Sequence, residues 1–277
     1  MLKSIYKPAQ IWYFCFNYVC LMKKKPLILI SNDDGIDAPG IRFLINQMLE
    51  IGDVVVVAPN SPQSGQGHAI SVNTFLEFKP HNNFDGEHLE YSCSGTPADC
   101  IKLGVHEILD RKPDLCVSGI NHGGNSSISV IYSGTMSAAL EAGIEGIPSI
   151  GFSIQDFSWA ADFSICAPFV KRIAQKVLDE GLPEGVVLNV NFPKSQDKPY
   201  NGVKICKQAR GNWVNKFDKR TNPHGKVYYW MNGKYVNMDS SENTDEAAIE
   251  DYYVSIVPTQ FDLTAYQAMN ALNKWDI

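Results

Sequence analysis

Short apolar runs alternate along this chain with amphipathic stripes, and that alternation predicts its elements. Residues 27–31 (LILIS) form an apolar run stopped by Asn32, Asp33, Asp34 and Gly35. This is the signature of a strand buried on both faces that ends in a turn. Asp37 and Pro39 then signal a helix start, and Ile41, Leu44, Ile45 and Met48 supply its apolar stripe before Gly52 ends it. Residues 54–57 (VVVV) predict a second buried strand, and the Pro, Ser, Gly and Gln content of residues 59–68 predicts a loop. Residues 71–79 and 89–93 read as strands around a polar turn, and residues 96–109 as a helix with Pro97 in its first turn. Residues 114–118 (DLCVS) predict another strand, with a glycine- and serine-rich loop over 119–133 behind it. A small-residue helix over 135–142, a strand over 148–152, a helix over 162–178 and a strand over 186–190 (VVLNV) complete the series.

Strand and helix alternate throughout. The predicted fold class is therefore α/β: a three-layer, doubly wound, mostly parallel, Rossmann-like sheet. Beyond Pro193 the pattern changes to a short strand over 204–207, an aromatic hairpin centred on Asn232-Gly233 (VYYWMNGKYV) and a terminal amphipathic helix over 263–275. The extension over 194–277 has too little apolar matter for a core of its own. Its aromatics (Trp213, Phe217, Tyr228, Tyr229, Trp230, Tyr235) are those of an interface, with residues 226–236 expected to cross between protomers. The expected organisation is a leader over 1–22, a catalytic core over 23–193 and this C-terminal extension with an oligomerisation hairpin and terminal helix.

Residues 11–22 (IWYFCFNYVCLM) are mostly apolar, but a bilayer span needs about 20 residues. No small-residue cleavage site follows, and Lys23, Lys24 and Lys25 come directly after. The reading adopted is that Met22 is the true start and that the protein is cytoplasmic. Seven cysteines, odd in number and never spaced CxxC, suit free thiols in a reducing compartment better than disulfides or a zinc site. The net charge of −6 offers no general basic surface, so neither nucleic acid nor membrane is an expected partner.

In an open α/β sheet, ligands bind outside the carboxyl ends of the strands. The unusual segments collect at those ends: Asn32 to Gly35, residues 61–67 (SPQSGQG), and residues 119–125 (GINHGGN) leading to Ser133, Gly134 and Thr135. Adjacent carboxylates at the mouth of a buried strand repel unless a cation lies between them. The plainer reading, an aspartate capping the following turn, suits an arbitrary pair. Here the converging donors are carboxylate, hydroxyl and amide oxygens, which suit a hard cation such as Mg²⁺ or Mn²⁺. Ser64 would deliver a hydroxyl to it. Ser133, Gly134 and Thr135 open a helix, where amides and the positive helix end bind phosphate. Asn32 and Asn125 join them as candidate phosphate contacts, and His122 is the one histidine placed for a substrate contact. No dinucleotide fingerprint is present, because Ile70 stands where its third glycine should be, and no P-loop motif occurs.

LISNDDGIDAPGI, APNSPQSGQGHAIS, SGTPADC, SGINHGGN, YSGTMSAALEA and SIVPTQFDLTAY together closely resemble the SurE family, the survival-protein acid phosphatases and nucleotidases. The resemblance implies a metal-dependent 5′-nucleotidase that releases inorganic phosphate from nucleoside monophosphates. It implies one divalent cation per subunit held by Asp33, Asp34, Ser64 and Asn121, with phosphate contacts from Ser133, Gly134 and Thr135. Asp33 and Asp34 would be the catalytic pair. It also implies a homodimer or homotetramer formed by exchange of C-terminal elements. Two rivals differ in kind. A haloacid-dehalogenase-type phosphatase needs its aspartates spaced DxD rather than adjacent, and a nucleotide-sensing module would bind phosphate without metal or turnover.

Overall fold

The computed structural model describes residues 25–82, 86 and 88–277. The leader reading, with Met22 as the start, lies outside the described residues. The strand β1 (Leu27–Ser31) is the centre of the fold. Its neighbours are β2 (Asp53–Pro59) on one side and β5 (Leu115–His122) on the other, both parallel to it. Beyond β2 come β4 (Leu89–Cys93) and the antiparallel edge strand β3 (Phe78–Pro80). Beyond β5 come β6 (Ser149–Ile154) and β7 (Val186–Phe192), both parallel. The order is completed by β11 (Val254–Gln260), antiparallel to β7, and then β8 (Val203–Ile205).

Alternation along β1 explains the layers. Ile28 and Ile30 face one core, shared with Val54, Val56 and two helices, α1 (Pro39–Leu49) and α4 (Ala167–Glu180). Leu29 faces the opposite core with Val55, Val57 and the helices α2 (Pro97–Leu103) and α3 (Gly134–Ile144). Each such side chain contributes about 1.5–3 kcal/mol by leaving water. The expected three-layer, doubly wound sheet is the one observed. Successive strands step outward through β2 and β4 and then return to the other side through β5, β6 and β7. The direction reverses between β1 and β5, and that gap is the crevice where ligands bind in such sheets.

Several local expectations are corrected. Of residues 71–79, only Phe78 onward pairs as a strand, because Asp99 takes Ser71 instead: its Oδ1 accepts from the Ser71 amide and its Oδ2 from the Ser71 hydroxyl. The helix over 96–109 ends at Leu103 and passes into one π-helical turn, Gly104–Ile108. The loop over 119–133 holds more structure than expected: β5 runs on past a bulge to His122, and Ser127–Tyr132 is a 3₁₀ helix. The hairpin does not turn at Asn232-Gly233. Its strands are β9 (Gly211–Thr221) and β10 (Val227–Asn237), and Gly233 sits mid-strand opposite Asn215. Asn222 makes the turn instead, its Oδ1 accepting from the amides of His224 and Lys226, with Gly225 at φ +80°. The terminal helix is shorter than expected, α6 (Tyr266–Leu272), and comes after α5 (Asp245–Glu250) and β11. No helix among the described residues is long and apolar enough to cross a membrane.

α1 is seated against β5 at Gly40. A Cβ there would lie 1.9 Å from the carbonyl oxygen of Ile120. Replacing glycine by alanine in a helix normally gains roughly 0.5–1 kcal/mol. Gly40→Ala is expected to do the reverse and lose about 1–3 kcal/mol in urea denaturation through overpacking. A gain would show that α1 does not approach the strand so closely.

Candidate active site at the switch point

Three strand ends meet at the crevice. β1 delivers Asp33, which is 4% exposed, and the half-buried Asp34. The loop after β2 carries the exposed Ser64 and is tied back to the same place, because the Gln63 amide donates to the Asp33 carbonyl at 2.7 Å. β5 delivers Asn121 and His122 beyond its bulge. The side-chain NH₂ of Asn121 donates to the Gly123 carbonyl at 2.6 Å, which leaves its oxygen as the acceptor to offer. The backbone N–H of His122 donates to Asp34 Oδ2 at 3.1 Å.

α3 closes the floor of this cluster. The Thr135 hydroxyl donates to Asp33 Oδ1 at 2.5 Å. A Cβ on Gly134 would lie 2.6 Å from that of Asp33, so only glycine lets the carboxylate reach the first turn. Ser133 caps α3, its Oγ accepting from the Met136 amide at 3.0 Å. The cap expected of Ser133 is therefore formed, while the Thr135 hydroxyl is engaged by Asp33.

Burial raises Asp33, the charge of Asp34 raises it further, and hydrogen bonds from Thr135 oppose them, leaving its pKa at about 6. Burial also raises Asp34, against the hydrogen bond from the His122 amide and the proximity of its ring. Two carboxylates held so close and so dry resist ionising together. Asn32 adds a buried Oδ1 with no hydrogen-bond partner among the described residues, its NH₂ being given to the Gly35 carbonyl. Surplus acceptor oxygen fits a hard cation. No group of three or more His, Cys, Asp or Glu is placed to hold a metal among the described residues, so any cation here relies on hydroxyl and amide oxygens as well.

Two supporting networks escaped the reading of the sequence. Asn125 is fixed from behind: its amide N–H donates to Asn191 Oδ1, its NH₂ to Ser153 Oγ, and its carbonyl accepts from Asn189. The signal was present in VVLNVNF, where buried asparagines recur two residues apart in an apolar strand. The second network has no such signal. Glu141 on α3, with its side chain 4% exposed, takes His68 at 2.7 Å and Lys102 at 2.6 Å, pinning the end of the Ser64 loop.

The fold and these residues define a doubly wound α/β protein whose switch point carries an acidic, oxygen-only cluster against a helix N-terminus. The family model for Survival protein SurE matches residues 28–215, and the chain belongs to that family. It is 61% identical over 253 residues to the protein named 5′-nucleotidase SurE of Flavobacterium psychrophilum, covering 91% of this chain and 98% of that one. It is 60% identical over 256 residues to the protein of the same name in Christiangramia forsetii, covering 92% and 98%. A crystal structure of SurE protein from Aquifex aeolicus superposes with TM-score 0.76 at 38% identity, covering 90% of this chain and 98% of that one.

Burial alone would raise the Glu141 carboxyl, but its hydrogen bonds from His68 and Lys102 outweigh that and hold its pKa below the usual range. A carboxyl so depressed adds stability above its ordinary pKa and loses it as pH falls through the folded value. Glu141→Gln should therefore be about 1–2 kcal/mol less stable at neutral pH, since both partners are partly exposed. Denaturation across an acid series should show that deficit closing as the wild-type carboxyl protonates. A deficit that persists in acid would assign it to packing rather than charge.

Proposed function

We propose that the chain is a metal-dependent 5′-nucleotidase that holds one divalent cation, Mg²⁺ or Mn²⁺, through Asp33, Asp34, Ser64 and Asn121. Its substrates are nucleoside 5′-monophosphates and one product is inorganic phosphate. The observation that carries this reading is the adjacent pair Asp33 and Asp34, with Asp33 packed on the first turn of α3 and Asp34 taking the His122 amide of β5. The names borne by its relatives agree with it. At such a site a divalent ion supplies neutralisation of phosphoryl charge and a more acidic water.

The chain's own groups do the rest. Asp33, with one oxygen fixed by Thr135, orients the attacking water and accepts its proton. The N-terminus of α3 faces the charge that builds on the phosphoryl oxygens. Asn125 gives one NH₂ hydrogen to Ser153, and the second is the one it offers to phosphate. Asn32 completes the wall.

Asp33→Asn and Asp34→Asn should each lower phosphate release from a nucleoside monophosphate by at least about a hundredfold, the scale of a lost general base. Both should unfold at or above the wild-type urea midpoint, because each removes one of two repelling charges. EDTA should silence the wild type, and added Mn²⁺ or Mg²⁺ should restore it. Substantial turnover by Asp34→Asn at saturating metal would remove this site from consideration.

The assembly is argued from the extension. β9 and β10 pair over eleven residues each, yet Val214, Phe217, Tyr229, Trp230 and Met231 stay exposed. A lone two-stranded ribbon is marginal in water, and a patch of this kind belongs against a partner. We place the chain in a homodimer or homotetramer, with residues 226–236 crossing between protomers. The unpaired buried thiols Cys93, Cys100, Cys116, Cys166 and Cys206 suit a cytoplasmic location. Replacing the hairpin with a short Gly-Ser link should reduce the mass in light scattering to that of a monomer. An unchanged mass would show that assembly lies elsewhere.

A further inference from the structure

We propose that the outer face of Trp159 is a stacking platform for the base of the nucleoside monophosphate, an inference that rests on the nucleotidase reading above. The loop after β6 carries it, on the same end of the sheet as Asp34. Phe163 is buried in the core beside α1, stacking on Phe43 at 5.8 Å between centroids. The His122 ring stands edge-on to Phe163 at 5.2 Å, and Trp159 lies nearly parallel on His122 at 5.1 Å and 15°. The stack thus runs from the core outward and ends on an indole that is 59% exposed.

The stack is joined directly to the candidate catalytic residues. The same His122 whose ring carries Trp159 gives its backbone N–H to Asp34. The ring cannot swing away freely, because its Nδ1 is held by the Ser158 carbonyl at 2.8 Å. Its Nε2 is buried with no hydrogen-bond partner among the described residues. Phe157 lies beside it, 77% exposed, over Gly123, where a Cβ would meet its ring at 2.4 Å. An open aromatic face carried by the residue that bonds Asp34 is where a planar group tethered to a phosphate held at this site would rest. Every base has such a face, so the platform favours nucleotides over other phosphate monoesters without choosing among bases.

The test compares Trp159→Ala and Trp159→Phe in the full chain with metal present. Substrate is adenosine 5′-monophosphate, and inorganic phosphate serves as a competing product. Trp159→Ala should raise KM for the nucleotide about tenfold, the size of one base–aromatic stack. Its kcat and the inhibition constant of phosphate should stay within about twofold, and Trp159→Phe should recover most of the affinity. An unchanged KM, or an equal loss of affinity for nucleotide and phosphate, would overturn the platform while leaving the nucleotidase intact. So would a changed oligomer mass in Trp159→Ala, which would assign the indole to a subunit contact. A wild-type enzyme that turns over no nucleoside monophosphate would overturn the underlying reading, and the platform with it.

Discussion

The structure turns on one crowded contact, the carboxylate of Asp33 against the first turn of α3. β1 is buried on both faces, so its end cannot move sideways, and the residues after Ser31 are delivered to the crevice at a fixed height. Two of those residues carry like charges. Gly134 leaves the room they need, Thr135 satisfies one oxygen, and the loop after β2 is drawn in by the Asp33 carbonyl. Backbone geometry thus holds the two carboxylates together, and the cost of doing so is electrostatic.

Around that contact the supporting groups are polar and paired with one another. Asn189, Asn191 and Ser153 hold Asn125, and His68 with Lys102 hold Glu141. A half-satisfied network would be worse than an apolar wall, so such networks fix one arrangement of loops rather than adding much net stability. Positioning comes from strands and helices, while the groups offered to solvent, Ser64 and Trp159, ride on loops tethered at few points.

Much of this was legible in the chain. LILIS followed by NDDG, the VVVV strand and the helix stripe at Ile41, Leu44, Ile45 and Met48 are local patterns whose period or length settles their state. That residues 32–35, 61–67 and 119–125 come to one edge was legible, because strand ends share that edge in a doubly wound sheet. Other features depend on partners distant in sequence. The pairing of Glu141 with His68 joins positions 73 residues apart, and nothing local announces it. Asn232-Gly233 carries the strongest short hairpin signal in the chain, yet the turn forms at Asn222 to Lys226, where an asparagine side chain folds back on two amides. The stack of Trp159 on His122 was hidden for the same reason, since it needs the β5 bulge and the β6 loop to meet.

The position of β11 carries a consequence for synthesis on the ribosome. This strand, Val254–Gln260, lies between β7 and β8 although both precede it in the chain. A nascent chain that has produced every group of the candidate site still has β7 as an open edge, and β8 has no place to dock. That edge backs the Asn189 and Asn191 network, so the support behind Asn125 stays incomplete until β11 emerges. Closure of the sheet is thereby a check on the completeness of the polypeptide: a chain truncated before β11 exposes a pairing edge of the kind that recruits other strands, while an intact one seals it with its own.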